Sequence, residues 1–263
     1  EEWKAQKTAE RDELNALSES GILTATMEPQ AYLRYLDVQA DNPRYSASNI
    51  LLAMEQNPEI TFINSLKNWN DLGRSIKQEE TGMKVRVTDP YIKDGREHRG
   101  YKVGRVFDIA QTTGKGTVPK LTLQENTPEM DAALRKLLDQ SPVKVNTSTT
   151  TYHDALYDPA SQEITVSTNL TDGQTFAALA REIVHAKLHD HGRYPYYSRS
   201  DCALEADSVG YMLCRSFGIP GKQPDASKVG ALFEGMEPQD RRGVLDSLQQ
   251  IFQRMQREIQ REI

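Results

Sequence analysis

Between Ala180 and His189 the chain reads Ala-Arg-Glu-Ile-Val-His-Ala-Lys-Leu-His, and this stretch holds the residues best spaced for chemistry. The pattern H-E-x-x-H places two imidazoles four residues apart on one helical face, where both reach a metal, with the glutamate between them as general base. Glu182 and His185 stand at that interval, but Arg181 occupies the place of the first histidine. A guanidinium stays protonated at neutral pH and has no lone pair to give, so it cannot ligate a cation. The question set by the sequence is whether metal still binds.

Three donors remain to be weighed. Glu205 falls on a following helix and, with His185, makes two protein ligands, one short of a typical catalytic zinc site. His189 lies four residues after His185, so a shifted H-x-x-x-H zinc site is a second arrangement, but it would displace Glu182 as base. In a third, Arg181 pairs with Glu205 or Glu182 and an ion pair stands where a metal would be. We favour this degenerate site over an active zinc peptidase. Cys202, three residues before Glu205, makes a Cys/His nucleophilic pair conceivable, but nothing in the sequence orients it. His98, His153 and His191 have no ligand spacing to one another, and Tyr194, Tyr196 and Tyr197 read as a loop packed onto the core.

The elements that position these residues follow from periodicity. Residues 1–20 read as a solvent-facing helix or the end of an upstream linker, stopped by Gly21, and Tyr32, Leu33, Tyr35 and Leu36 stripe a second helix, broken by Asp41-Asn42-Pro43. Ser46 caps a third, closed by Asn57-Pro58, and Phe62 to Leu72 reads as a fourth, carrying Trp69 and stopped by Gly73. From Met83 the period becomes two, with Val85 and Val87 alternating against Lys84 and Arg86. A polar loop through Asp94-Gly95 leads to a second strand, Tyr101 to Ile109, with a bulge or bend expected at Gly104. After a boundary near Glu125, Thr127-Pro128 starts a helix to about Gln140, three short strands follow, and helices cover Thr171 past His189, Asp201 to Phe217, Asp225 to Phe233 and Pro238 to Ile263. The expected class is α+β: a small helical domain with a β-hairpin over 1–124, then 125–263 with a small sheet and the Arg181 helix.

At 263 residues the chain can bury two small cores, and its apolar runs are too short to span a bilayer. No signal segment opens it, and Cys202 and Cys214 read as reduced thiols, which together suggest a cytoplasmic protein. The first residues, Glu1-Glu2-Trp3, suggest a piece of something longer. Net charge is −6, yet residues 67–120 hold twelve Lys/Arg against seven Asp/Glu, a local +5 against −11 elsewhere. A basic face is what phosphate contact requires.

The first half carries Tyr45-Ser-x-x-Asn49-Ile-Leu-Leu, Gln56-x-Pro58, Trp69-x-x-Leu72-Gly73-Arg74 and Val106-Phe107-Asp108-Ile109-x-Gln111-Thr112. The second carries Glu182-x-x-His185-Ala186-x-Leu188-His189 and Glu205-Ala206-Asp207-Ser208-Val209. In these motifs, their order and their spacing, the chain resembles the ArdC-type antirestriction proteins and the LtrC-like proteins of plasmids and integrative elements. That resemblance implies an N-terminal single-stranded-DNA-binding domain and a C-terminal zincin-like metallopeptidase domain of the ImmA/IrrE kind. Single strands are held by cations along the phosphates and aromatic faces under the bases. Lys84, Arg86, Arg99, Lys102 and Arg105 beside Tyr101 and Phe107 can supply both, with Asn49, Gln56, Trp69 and Arg74 as either binding residues or fixtures of the domain. Three functions follow: a DNA-binding accessory protein with an impaired peptidase domain, an active zinc peptidase with rearranged ligands, or a protein-docking module.

Overall fold

The computed structural model describes residues 2–189 and 196–263, with side chains from residue 5 onward. Helix α1 (Glu2–Met27) does not stop at Gly21 but runs through it. A Cβ at Gly21 would sit 3.0 Å from the Leu51 carbonyl oxygen and from the Glu55 side chain, so this glycine marks a close helix crossing and not a helix end. Helix α2 (Pro29–Asp41) buries Tyr32, Tyr35 and Leu36 as their spacing predicts. Helix α3 (Ala47–Gln56), the one α1 crosses at Gly21, starts at Ser46, whose hydroxyl accepts from the Asn49 amide.

The helix expected over 62–72 is shorter. Strand β1 (Ile63–Asn64) precedes α4 (Leu66–Asp71), which Ser65 caps. Then come β2 (Arg74–Ile76), β3 (Met83–Thr88), β4 (Tyr91–Lys93), β5 (Arg96–His98), β6 (Tyr101–Asp108) and β7 (Thr112–Gly114). β6 pairs antiparallel with β1 and β3, β2 pairs with β7, and β4 pairs with β5. The expected polar loop is therefore a hairpin, turned at Asp94 and Gly95, whose φ values are +52° and +71°. Asp89 N donates to the Gly100 carbonyl between the two pairings, so residues 83–108 form one long ribbon. No bulge occurs at Gly104, which faces Val85 in unbroken register. The glycine is there because a Cβ would lie 2.4 Å from a Val87 methyl.

In the second half, Thr127 caps α5 (Pro128–Asp139), and β8 (Lys144–Ser148), β9 (Ala155–Asp158) and β10 (Glu163–Ser167) form a sheet in the order β8-β10-β9. Helix α6 (Asp172–Leu188) opens with a reciprocal Thr171–Gln174 cap, and α7 (Arg199–Ser216), α8 (Val229–Leu232) and α9 (Pro238–Gln260) follow. The class is α+β. The apolar core is continuous across residue 124, running from Leu36 and Ile50 to Leu213 and Phe252. Polar bonds cross the same junction: Tyr32 Oη lies 2.8 Å from Ser208 Oγ, and Arg215 reaches Asp37 and Asp41 at 3.3 and 2.9 Å. Among the described residues no helix is long and apolar enough to cross a membrane.

Candidate functional site

Helix α6 turns Phe176, Leu179, Ile183 and Leu188 into the core, and the same burial captures Glu182, His185 and His189. Glu182 is 0% exposed, so its charge needs partners. It has four. Arg199, at the start of α7, donates from both Nη atoms at 2.7 Å, one to each carboxylate oxygen. Arg181 Nε donates to Oε1 at 2.9 Å, and Tyr157 N, on the outer edge of β9, to Oε2 at 2.7 Å. Burial alone would raise the Glu182 carboxyl, but the bonds and charge of Arg199, with the Tyr157 N–H, hold it below the ordinary carboxylate value. A general base needs an open lone pair and an elevated pKa, and this carboxylate has neither.

The imidazoles are tied in the same way. His185 Nδ1 shares a 2.9 Å hydrogen bond with the Tyr197 hydroxyl, and His189 Nδ1 a 2.6 Å bond with that of Tyr157. Tyr197 also stacks on His189, with ring centroids 4.7 Å apart and 20° between the planes. Burial pushes His185 down to about 4, against the pull of Glu182 and with the help of Arg199 and Arg181, so at neutral pH it is uncharged. Glu205 is buried on α7 near Tyr32, whose hydroxyl is raised by burial first and by the neighbouring Glu205 second. Cys202 and Cys214 are buried and in no disulfide, with burial pushing Cys214 up to about 12.

His185, Glu205 and His189 are the residues from which the sequence allows a zinc site, with none if the site is degenerate. Among the described residues, no three His, Cys, Asp or Glu side chains converge on a position that could hold a metal ion. Two guanidinium groups also stand on Glu182, where a cation would meet like charge. The Arg181–Glu182 pair is one of those the sequence allows. Arg199 and Tyr157 escape sequence reading because their approach to Glu182 is set by how α7 and β9 dock on α6, for which no local spacing speaks. Of the loop tyrosines, Tyr197 packs inward, Tyr196 is exposed, and Tyr194 and His191 lie outside the described residues. His98 and His153 are exposed.

The residues expected to meet DNA divide into fixtures and free groups. Asn49 donates to the Arg86 carbonyl and accepts from its amide at 2.8 and 2.9 Å, and Gln56 does the same for Lys84 at 2.8 Å each, so two side-chain amides act as a partner strand for β3. Trp69 is 0% exposed and donates to the Phe107 carbonyl, which takes it off the surface. Arg74 bonds Thr112, Gly114 and Gly116 beneath that indole. The Phe107 ring is half-buried over Gly82, where a Cβ would lie 2.7 Å from it. Lys84 and Arg86 are covered by α1, Lys84 pairing with Glu13 at 2.9 Å and Arg86 bonding Asn15 and Ser18. Left exposed are Arg99, Tyr101, Lys102 and Arg105, with Lys102 paired to Asp89 and Arg105 bonded to the Gly82 carbonyl.

No protein-family model matches the chain. An uncharacterized Bacillus anthracis protein, pXO2-81, is 22% identical over an alignment covering 73% of this chain and 41% of that one. The chain thus spans about two fifths of that relative's length. The metal-free crystal structure of the antirestriction protein ArdC from plasmid R388 superposes with a TM-score of 0.52 at 20% identity, over 83% of this chain and 85% of that one. Its Mn(II)-bound crystal structure gives 0.51 at 18%, over 88% and 97%. Likeness at this identity is likeness of fold, and the fold of this chain is ArdC-like.

Proposed function

We propose that this chain is a DNA-binding accessory protein of a mobile genetic element, antirestriction-like, that acts on single strands through residues 1–124 and carries a non-catalytic, metallopeptidase-like unit over 125–263. The observation that carries the binding half is the ribbon of residues 83–108. Seven Lys/Arg stand against three Asp/Glu between Gly82 and Arg105, and the outer part of that ribbon keeps its cations in solvent. The ArdC-like fold is consistent with this reading. For the second half, a glutamate saturated by Arg199, Arg181 and the Tyr157 amide supports loss of peptide hydrolysis.

The test is a titration of labelled single- and double-stranded oligonucleotides followed by anisotropy over a range of salt. Binding that favours the single strand and weakens steeply with salt is expected, since each phosphate neutralised adds about −0.7 to the log–log slope for single strands. Equal affinity for both forms would remove the single-strand assignment. No binding at low salt would remove the DNA-binding one and leave a protein-docking module.

A further inference from the structure

With Lys84 and Arg86 under α1, the open cations of the ribbon lie toward its outer end, where every side chain from Tyr91 to Arg99 is exposed. Lys93, Arg96 and Arg99 stand there with no ion pair to any described residue, while Lys102 below them is held by Asp89. The same tip carries two rings in register. Tyr91 is the cross-strand partner of His98, and their rings stack with centroids 5.4 Å apart and 19° between planes. A Cβ at Gly100 would lie 3.0 Å from the Tyr91 ring and 2.7 Å from the Asp89 carbonyl oxygen, so the bare glycine backbone sets where that ring lies. With His98 and Gly100 against it, Tyr91 is still 52% exposed, and Tyr101 further down is 66% exposed.

Positioned aromatic faces among unpaired cations are what a single strand needs: bases stack on the rings and phosphates reach the cations, without any sequence being read. Ile92, 78% exposed beside Tyr91, offers another surface. One aliphatic side chain gives too little apolar area to hold a membrane face, which takes a continuous apolar stripe. We propose that the β4–β5 tip is the base-stacking element of this protein, with Tyr91 as the platform, Gly100 as its positioning residue, and Arg96 and Arg99 on the phosphates. This rests on the DNA-binding reading above.

The experiment uses the full chain and a fluorescein-labelled oligo-dT, with anisotropy read at several salt concentrations and folding checked by circular dichroism. Tyr91→Ala weakens binding about tenfold, within the range for loss of one stacked base, and leaves the salt slope unchanged. Tyr91→Trp keeps or improves affinity. Gly100→Ala weakens it by displacing the ring. Arg96→Ala with Arg99→Ala flattens the slope by about 1.4, two phosphates' worth. Native-like affinity in Tyr91→Ala, while the native chain binds, overturns the stacking role and leaves the DNA-binding reading standing. Absence of binding by the native chain overturns both. Native binding to phosphatidylserine vesicles that Ile92→Ser abolishes, with oligo-dT binding untouched by Tyr91→Ala, assigns the tip to a lipid surface instead.

Discussion

Arginines occur in this chain under two opposite conditions. At the α6–α7 site, Arg181 and Arg199 end on one fully buried carboxylate, and every acceptor position of Glu182 is used. On the ribbon tip, Arg96 and Arg99 end in solvent with no ion pair to any described residue. The same side chain closes one place and opens the other. Half-buried between α6, α7 and β9, a guanidinium serves as a counter-ion that ties elements together. Carried on a two-stranded ribbon whose side chains from Tyr91 to Arg99 are all exposed, it is open to a phosphate.

The largest way to break this comparison is to open the closed site. Arg199→Ala leaves Glu182 buried with Arg181 as its one remaining charged partner, and a loss of about 2–4 kcal/mol in urea unfolding is expected, with DNA affinity unchanged. Glu182→Gln with Arg199→Leu removes both charges and costs less than the single change, which a double-mutant comparison reads directly.

Acid acts on the same site. The neutral imidazole of His185 has its pKa at about 4 against an ordinary 6.5, so between those values the unfolded chain binds the proton and the folded one does not. Stability is therefore full above about 6.5 and falls as pH drops toward 4, by no more than about 3 kcal/mol. The lowered Glu182 carboxyl works in the same direction further down, its contribution present above 4.5 and lost as pH falls through its folded value. His185→Gln should flatten the first part of that slope in denaturation curves taken across pH.

A smaller change separates fixture from binder. Trp69→Phe removes the bond to the Phe107 carbonyl and is expected to cost about 1 kcal/mol of stability while leaving oligo-dT affinity alone. A loss of affinity at native stability would return Trp69 to the binding surface. The smallest effect is at α1, where Glu13→Gln breaks the exposed pair to Lys84 at less than about 1 kcal/mol. Lys84 keeps its longer pair to Glu10 at 4.0 Å, and at most a slightly tighter oligo-dT complex should follow.

How far the sequence goes depends on whether a feature is local. The caps at Ser46, Thr127 and Thr171, the stripe of Tyr32 and Tyr35, and the alternation of Met83 to Val87 are each decided by residues a few places apart, and each is where it was expected. Gly21 misleads because glycine serves a helix crossing as well as a helix end, and only the approach of α3 distinguishes them. The Asp94-Gly95 hairpin was legible in principle, since that dipeptide is a strong turn signal, but polar flanks hid the strands on either side. Asn49 and Gln56 look like binding residues because they are polar and regularly spaced on α3, and their actual work, completing the edge of β3, is a tertiary fact. The Arg199–Glu182 pair is tertiary as well, joining residues 17 apart in sequence across two helices.

Arg181 and Arg199 occupy the carboxylate of Glu182, and we propose that their charge keeps a metal ion out of this site. This is tested most directly by metal content after dialysis against zinc and manganese, measured on the native chain and on His185→Ala. The account predicts far less than one metal ion per chain in both. One ion per native chain, lost in His185→Ala, would contradict it and make peptide hydrolysis the activity to pursue.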